Sequence, residues 1–417
     1  MKEYTSRPLK KQYDLGKYAP LYRSVLLGMI KEMRQGERDY TPTTLDFGAV
    51  KFRIARHFGF CKGVENAIEM AYQALEENAG KPVYMVSELI HNPYINEDLA
   101  RRGLLFIKTS TGKQLIPWEN LQANDIVVIP AFGATVQDKA ILQAKGIDLK
   151  RWDAMCRFVE HVWFRAEELG KKGFSIIIHG KFQHEETQAT FSYSQQFAPT
   201  LVLKDMKEAH ILGEIIAGKR PISDFESYFR AVASAGFDPI LHLQKLAVVN
   251  QTTMLASETA EIAQYIRQLM LEKYGSENEA IHVGNTRDTL CYATKNNQTS
   301  TQHLLDTPAD LAIVIGGRNS SNTSHLVELC EPQLPTYFIR SEADISAEKA
   351  ILHFDFHHQQ EQLIPDFLPQ KQGLEIILTS GASCPDALLE KVMMKILGFY
   401  NNVRTLEEVL RDFGRER

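Results

Sequence analysis

The 417-residue chain has no pair of cysteines spaced C-x-x-C, so a zinc ribbon or zinc finger is a poor description of it. It has no apolar run near the roughly 20 residues needed to cross a bilayer. Its N-terminus, MKEYTSRPLKKQYDLGKYAP, is charged and polar. The apolar stretch SVLLGMI is too short and too far in for a signal peptide, and the acidic residues around it speak against a transit peptide. A cytoplasmic protein is therefore expected, with no membrane partner. The chain also lacks an excess of positive charge. At a formal −5 it has no basic balance with which to neutralise nucleic-acid phosphates. A small anion is not excluded, because local donors hold such ligands.

Cysteine is scarce too, with five residues at 61, 156, 291, 330 and 384. In a reducing compartment an odd, widely spaced set is not a disulfide framework, so these are free thiols, metal ligands or nucleophiles. An apolar fraction of 44% and a charged fraction of 24% are those of a globular protein, and the length implies two or three domains.

Strand-like and helix-like runs alternate, which reads as α/β with mostly parallel sheets. Six strands end in polar or glycine-rich loops: VYMVSELIHN, DIVVIPAFG, SIIIHG, LAVVNQTT, LAIVIGGRNSS and EIILTSGAS. Ligands gather at such carboxyl ends. Three of the cysteines keep a common spacing to these loops. Cys61, Cys156 and Cys291 are each followed by a helix, a strand and a polar residue (His91, His184 and Asn319), which lie 30, 28 and 28 residues further on. Each unit then supplies a second strand and loop: AFGATV, NQTTM and TSGASCP. The order cysteine, helix, strand, loop, loop thus occurs three times. If the units pack around a pseudo-threefold axis, three thiols and six loops meet at one cavity.

Each of the three cysteines is expected at a helix start, where the dipole and free N–H groups favour the thiolate. Taken singly, each could equally be a small buried hydrophobe. Three thiolates can hold three irons of a [4Fe–4S] cluster and leave the fourth open. Cys330, in NTSHLVELC, and Cys384, in TSGASCP, read as packed thiols. The loops offer His184 and Glu186, then Gln251, Thr252 and Thr253, then Asn319, Ser320, Ser321 and Asn322, and finally Ser380 and Ser383. Helix capping explains single Ser, Thr or Asn residues, but not a cluster such as NSSNTS after a Gly-Gly turn. Neutral donors with helix N-termini suit a diphosphate in a closed pocket.

The strings GFCKGVENAI, HNPYIN, DAMCRFV, HEET, NQTTM, DTLCYAT, GGRNSSNTS and TSGASCPD, in that order over residues 52–398, resemble the IspH/LytB family of 4-hydroxy-3-methylbut-2-enyl diphosphate reductases. The resemblance implies three pseudo-repeated α/β domains in a trefoil around one [4Fe–4S] cluster per chain, with Cys61, Cys156 and Cys291 as ligands. It implies that His91, His184, Thr252, Thr253, Ser320, Ser321, Asn322 and Ser383 bind the substrate. Glu186 would be the proton donor, acting with Thr252. The implied reaction is a two-electron reductive dehydroxylation of an allylic diphosphate to isopentenyl and dimethylallyl diphosphate. It ends the methylerythritol phosphate route, with ferredoxin or flavodoxin as electron donor. Domains are expected over 52–156, 157–287 and 288–400, with an extension over 1–51 and a tail over 401–417.

Departures from the shorter members are Phe132 where they carry histidine, Glu185 where proline is common, Arg157 after the second cysteine, and the N-terminal extension. Phe132, the N-terminal extension and extra sequence inserted between HEET and NQTT resemble the longer cyanobacterial and plant-type branch. Two readings stand beside the reductase: a quinolinate-synthase-like cluster enzyme, and a non-catalytic metal- or phosphate-binding module.

Overall fold

The structure is a computed structural model that describes residues 22–285 and 289–415. The start of the expected extension and the boundary expected at 287 lie outside the described residues.

In chain order the strands are β1 (Thr43–Asp46), β2 (Val50–Ile54), β3 (Val83–Met85), β4 (Leu104–Phe106), β5 (Ile126–Val128), β6 (Ser175–His179), β7 (Thr200–Leu203), β8 (Leu246–Asn250), β9 (Leu311–Ile315), β10 (Thr336–Ile339), β11 (Ile351–Asp355), β12 (Gln360–Ile364) and β13 (Leu374–Ser380). β11 and β12 form a separate antiparallel hairpin. The others build three sheets, ordered β4-β3-β5, β7-β6-β8 and β1-β2-β13-β9-β10.

The repeated order read from the cysteine spacing reappears in this topology. In each sheet the strand after the cysteine-led helix is flanked by parallel neighbours: β3 by β4 and β5, β6 by β7 and β8, β9 by β10 and β13. The six strands read from sequence as ending in polar loops are β3, β5, β6, β8, β9 and β13, and they form three adjacent parallel pairs. Strands β6, β8 and β9 are buried at every position. Parallel sheets covered by helices on both faces need such continuous apolar runs.

One expected division does not follow the sheets. The strand β2, at the head of the domain expected over 52–156, belongs to the third sheet, where Val50–Ile54 pairs in parallel with Leu374–Leu378. Its free edge is covered by β1 in antiparallel register. The choice of which open edge a strand joins is a long-range one, which an alternating pattern does not encode. The consequence reaches the site, because β2 leads directly into Cys61 and so ties the first cysteine to the third sheet.

The helix Val25–Glu32 of the extension is capped by Ser24, whose side chain accepts from Leu27 N–H. It buries Leu26, Leu27 and Ile30 in the apolar cluster that holds Phe52, Ile376 and Leu378. This part of the extension covers the core of the third sheet. The inserted segment after β7 likewise packs Leu212, Phe225 and Phe229 against Leu203 and Val248. No described helix is long and apolar enough to cross a membrane.

Candidate active site

Cys61, Cys156 and Cys291 are the N-cap residues of the helices Lys62–Glu77, Arg157–Lys171 and Tyr292–Leu305. A thiol stands where a hydroxyl or carboxylate oxygen more often caps a helix. The N–H groups of Gly63 and Val64 favour the anion of Cys61, those of Phe158 and Val159 that of Cys156, and those of Ala293 and Thr294 that of Cys291. The expected helix-start effect is thus present, but burial outweighs it. Burial, with the neighbouring thiols, pushes Cys61 up to about 12 and Cys156 up to about 11, and burial, with Glu186, raises Cys291 as well. Removing these protons takes a bound metal's charge.

The three thiols line one cavity, together with His91, Phe132, Thr252, Thr253, Thr294, Ser320, Ser321, Asn322 and Ser383. Its remaining wall is apolar, from Val64, Ile90, Ala131 and Val159. Among the described residues no group of three His, Cys, Asp or Glu side chains is placed to hold a single metal ion. Three thiols spread around a cavity suit a polynuclear centre better, since each binds its own metal. Gly63 is part of this fit: a Cβ there would stand 2.7 Å from Cys156 Sγ and 3.8 Å from Cys61 Sγ. Cys330 and Cys384 are fully buried in apolar clusters away from the cavity, as packed thiols.

Glu186 stands behind Thr252 and is 1% exposed. Its Oε1 accepts from Thr252 N–H at 2.5 Å and its Oε2 from Thr252 Oγ1 at 2.9 Å. Burial pushes its carboxyl up to about 7, against the pull of the two Thr252 donors. A carboxyl group balanced near neutrality can both hold and release a proton at the cavity wall.

His184 caps the helix Glu185–Ser194, its Nδ1 accepting from Glu186 N–H at 3.1 Å. Burial holds the ring neutral, well below its usual value, so the proton sits on Nε2. That nitrogen lies 3.0 Å from His91 Nε2, which must then be the acceptor, leaving the His91 proton on Nδ1. His91 Nδ1 has no hydrogen-bond partner among the described residues; Glu88 Oε2 is 4.0 Å away. Phe132 stacks on His91 at 4.6 Å between ring centres and meets His184 edge-on at 5.4 Å. The phenyl ring therefore packs against the histidine pair.

The remaining loops interlock. Ser320 caps the helix Ser321–Cys330 and lies 3.4 Å from Ser383 Oγ. Asn322 Oδ1 accepts from Ala382 N–H at 2.8 Å, while its buried Nδ2 has no partner among the described residues. Asn92 Nδ2 donates to Ser383 O at 2.9 Å. Gly317 lets the loop after β9 lie on His91, since a Cβ there would fall 2.2 Å from the His91 carbonyl oxygen. Unpartnered donors at Asn322 and His91 around a cavity call for a ligand with acceptor atoms.

All twelve site residues expected from sequence thus fall in one place. Ten line the cavity, and His184 and Glu186 stand directly behind His91 and Thr252. Asn319 is instead at the rim, donating to Glu88 Oε2 at 3.2 Å.

One contributor, Thr294, escaped the sequence reading, while Gln251, read there as a loop donor, proves to be a linker. Thr294 acts on Cys291 from three residues further along, a helix-start spacing visible in CYAT. Gln251 joins the loops: its Oε1 accepts from Thr187 Oγ1 at 2.9 Å and Lys181 N–H at 3.1 Å, and its Nε2 donates to Thr253 Oγ1 at 2.7 Å and Ser321 Oγ at 3.3 Å.

Three sheets that share one three-strand order, closing with their loops on a cavity headed by three cysteine-capped helices, define an α/β protein built around a three-thiol cavity. The model of the LytB protein family matches residues 52–397, and the chain belongs to that family. It is 37% identical over 386 residues to a 4-hydroxy-3-methylbut-2-enyl diphosphate reductase of Prochlorococcus marinus, covering 92% of each chain. It is also 37% identical over 385 residues to the enzyme of that name from Synechococcus sp., again over 92% of each. Among solved structures, the E-1-hydroxy-2-methyl-but-2-enyl-4-diphosphate reductase of Plasmodium falciparum shares the fold. The TM-score is 0.59 at 22% identity, covering 89% of this chain and 99% of that one.

Proposed function

We infer that the chain is an enzyme of the reaction its curated relatives are named for, the reduction of 4-hydroxy-3-methylbut-2-enyl diphosphate. One observation carries this beyond the family name: a single cavity joins three helix-capping thiols to a proton-holding carboxyl group and a wall of neutral donors.

Cys61, Cys156 and Cys291 would hold a [4Fe–4S] cluster. When bound, such a cluster supplies electrons and an open Lewis-acid position. Electrons would reach it from an external ferredoxin or flavodoxin. The chain's own residues do the rest. Ser320, Ser321, Asn322, Ser383 and Thr253, with His91 and His184, bind and orient the diphosphate. Ile90, Val64, Val159 and Phe132 exclude water from the allylic part. Glu186 holds a proton at its carboxyl oxygens, and Thr252 fixes both oxygens so that the proton is presented toward the departing hydroxyl group. Loss of that hydroxyl as water takes that proton and two electrons, and a second proton added at one of two allylic carbons gives isopentenyl or dimethylallyl diphosphate.

Anaerobic purification tests the reading. A brown protein with about four irons per chain, oxidising reduced viologen only when given the hydroxylated diphosphate, is the expected result. A colourless zinc protein would overturn it.

A further inference from the structure

Phe132 and Glu185 bear on the same side chain. Phe132 stacks on His91 at 4.6 Å between ring centres, and Glu185 Oε1 lies 3.6 Å from His91 Nε2. Both Glu185 carboxyl oxygens are buried and lack a hydrogen-bond partner within bonding geometry among the described residues, while the nearby Ser87 hydroxyl favours the charged form only weakly against burial. The charged and titratable groups facing this cluster are Glu88, 4.0 Å from His91 Nδ1, Glu186 on the same helix, and Lys181 beside His184.

An unpaired buried carboxylate beside two neutral imidazoles is costly, so the carboxyl group is held as the acid. Burial, Glu88 and Glu186 all raise its proton affinity well above the usual value, while burial lowers His91 to about 3. The histidines are locked together, His184 Nε2–H donating to His91 Nε2. That lock spends the only Nε2 proton of the pair on the pair itself.

We propose that Glu185 stores the proton that charges the histidine pair when a diphosphate enters the cavity. This rests on reading the cavity as a diphosphate site. The Glu185 O–H bond breaks and an N–H bond forms at His91 Nε2, with no proton taken from solvent. His91 Nε2 then has no lone pair to accept from His184, so the lock opens and both N–H groups turn to the incoming anion. The carboxylate left behind balances the imidazolium. Glu185 acts through His91 and is a positioning residue, while Phe132 fills the remaining face and keeps water from supplying the proton instead.

The test is calorimetric titration of the cluster-loaded enzyme with inorganic diphosphate at pH 8, in buffers of different ionisation enthalpy. Glu185→Gln is expected to take up about one proton more from buffer than the unmodified enzyme, and to bind more weakly as pH rises. The ligand's own ionisation cancels in that difference, and equal uptake would overturn the proposal. A second measurement needs no variant: infrared difference spectra of the unmodified enzyme should lose the carbonyl stretch of a protonated carboxyl group on binding. Persistence of that band overturns the proposal equally. Failure of the unmodified enzyme to bind diphosphate at all would instead overturn the reading of the cavity, and the proposal with it.

Discussion

Thr252 holds Glu186 by both oxygens, through its backbone N–H at 2.5 Å and its hydroxyl at 2.9 Å. The two donors favour the carboxylate, and burial, which is stronger, favours the acid. Glu186→Gln should therefore keep substrate binding and lower turnover by about 10² or more, as for loss of a general acid. Thr252→Val removes one donor to the charged form, so the Glu186 carboxyl group moves further up from about 7. A rate that needs the protonated acid falls as pH rises through that value. In Thr252→Val the alkaline limb of kcat should shift to higher pH while the plateau drops, and an unmoved limb would take the acid role from Glu186.

The close approach of Gly63 to Cys156 leaves no room for a side chain. With a Cβ 2.7 Å from the sulfur, Gly63→Ala must displace either the thiol or the helix it heads. Iron bound per chain after anaerobic reconstitution should fall well below that of the unmodified protein, while circular dichroism stays unchanged. Cys156→Ala should lose or damage the cluster, read from the visible absorption spectrum. An intact spectrum in Cys156→Ala would remove that residue from the ligand set.

Gln251 makes four hydrogen bonds that span Thr187, Lys181, Thr253 and Ser321. Gln251→Ala leaves several buried groups unsatisfied, at about 1–3 kcal/mol for each. Because Thr253 and Ser321 face the cavity, KM should rise by more than kcat falls. Steady-state kinetics over a substrate series measures the split, and a loss confined to kcat would place Gln251 with the proton donor instead.

Leu27 of the extension is fully buried against the third sheet. Leu27→Ala should destabilise the protein by about 2–5 kcal/mol, as for other buried leucines, read from urea unfolding. A change under about 0.5 kcal/mol, the size usual for a surface substitution, would mean that this helix is not part of the folded core.

Glu185 and Glu186 both bind protons more tightly in the folded chain than in the unfolded one. Such groups lend stability at low pH that is lost as pH rises through their folded values. Thermal unfolding of Glu185→Gln should therefore compare more favourably with the unmodified protein at pH 8 than at pH 5. An offset that does not change with pH would leave Glu185 without a raised proton affinity.

Much of the site was legible because its parts are local. A cysteine before an amphipathic helix is an N-cap by chain chemistry alone, as with Cys61, Cys156 and Cys291. Likewise, a Ser-Ser-Asn or Gln-Thr-Thr run after an apolar strand is a polar loop at a sheet's carboxyl end. The near-equal spacing of the cysteines to His91, His184 and Asn319 carried the repeated sheet order, because a helix and a strand of similar length occupy that interval.

What the chain alone did not settle is long-range. β2 could have joined any open edge, and its pairing with β13 depends on which edge the packed helices leave free. Nor did Phe132 and Glu185 reveal in one dimension that they share His91, because Glu185 reaches His91 only once the first and second units meet. The proton affinities of Glu185 and Glu186 belong to the tertiary structure for the same reason. A carboxyl group is raised by the water it loses, and only the closed fold determines how much water that is.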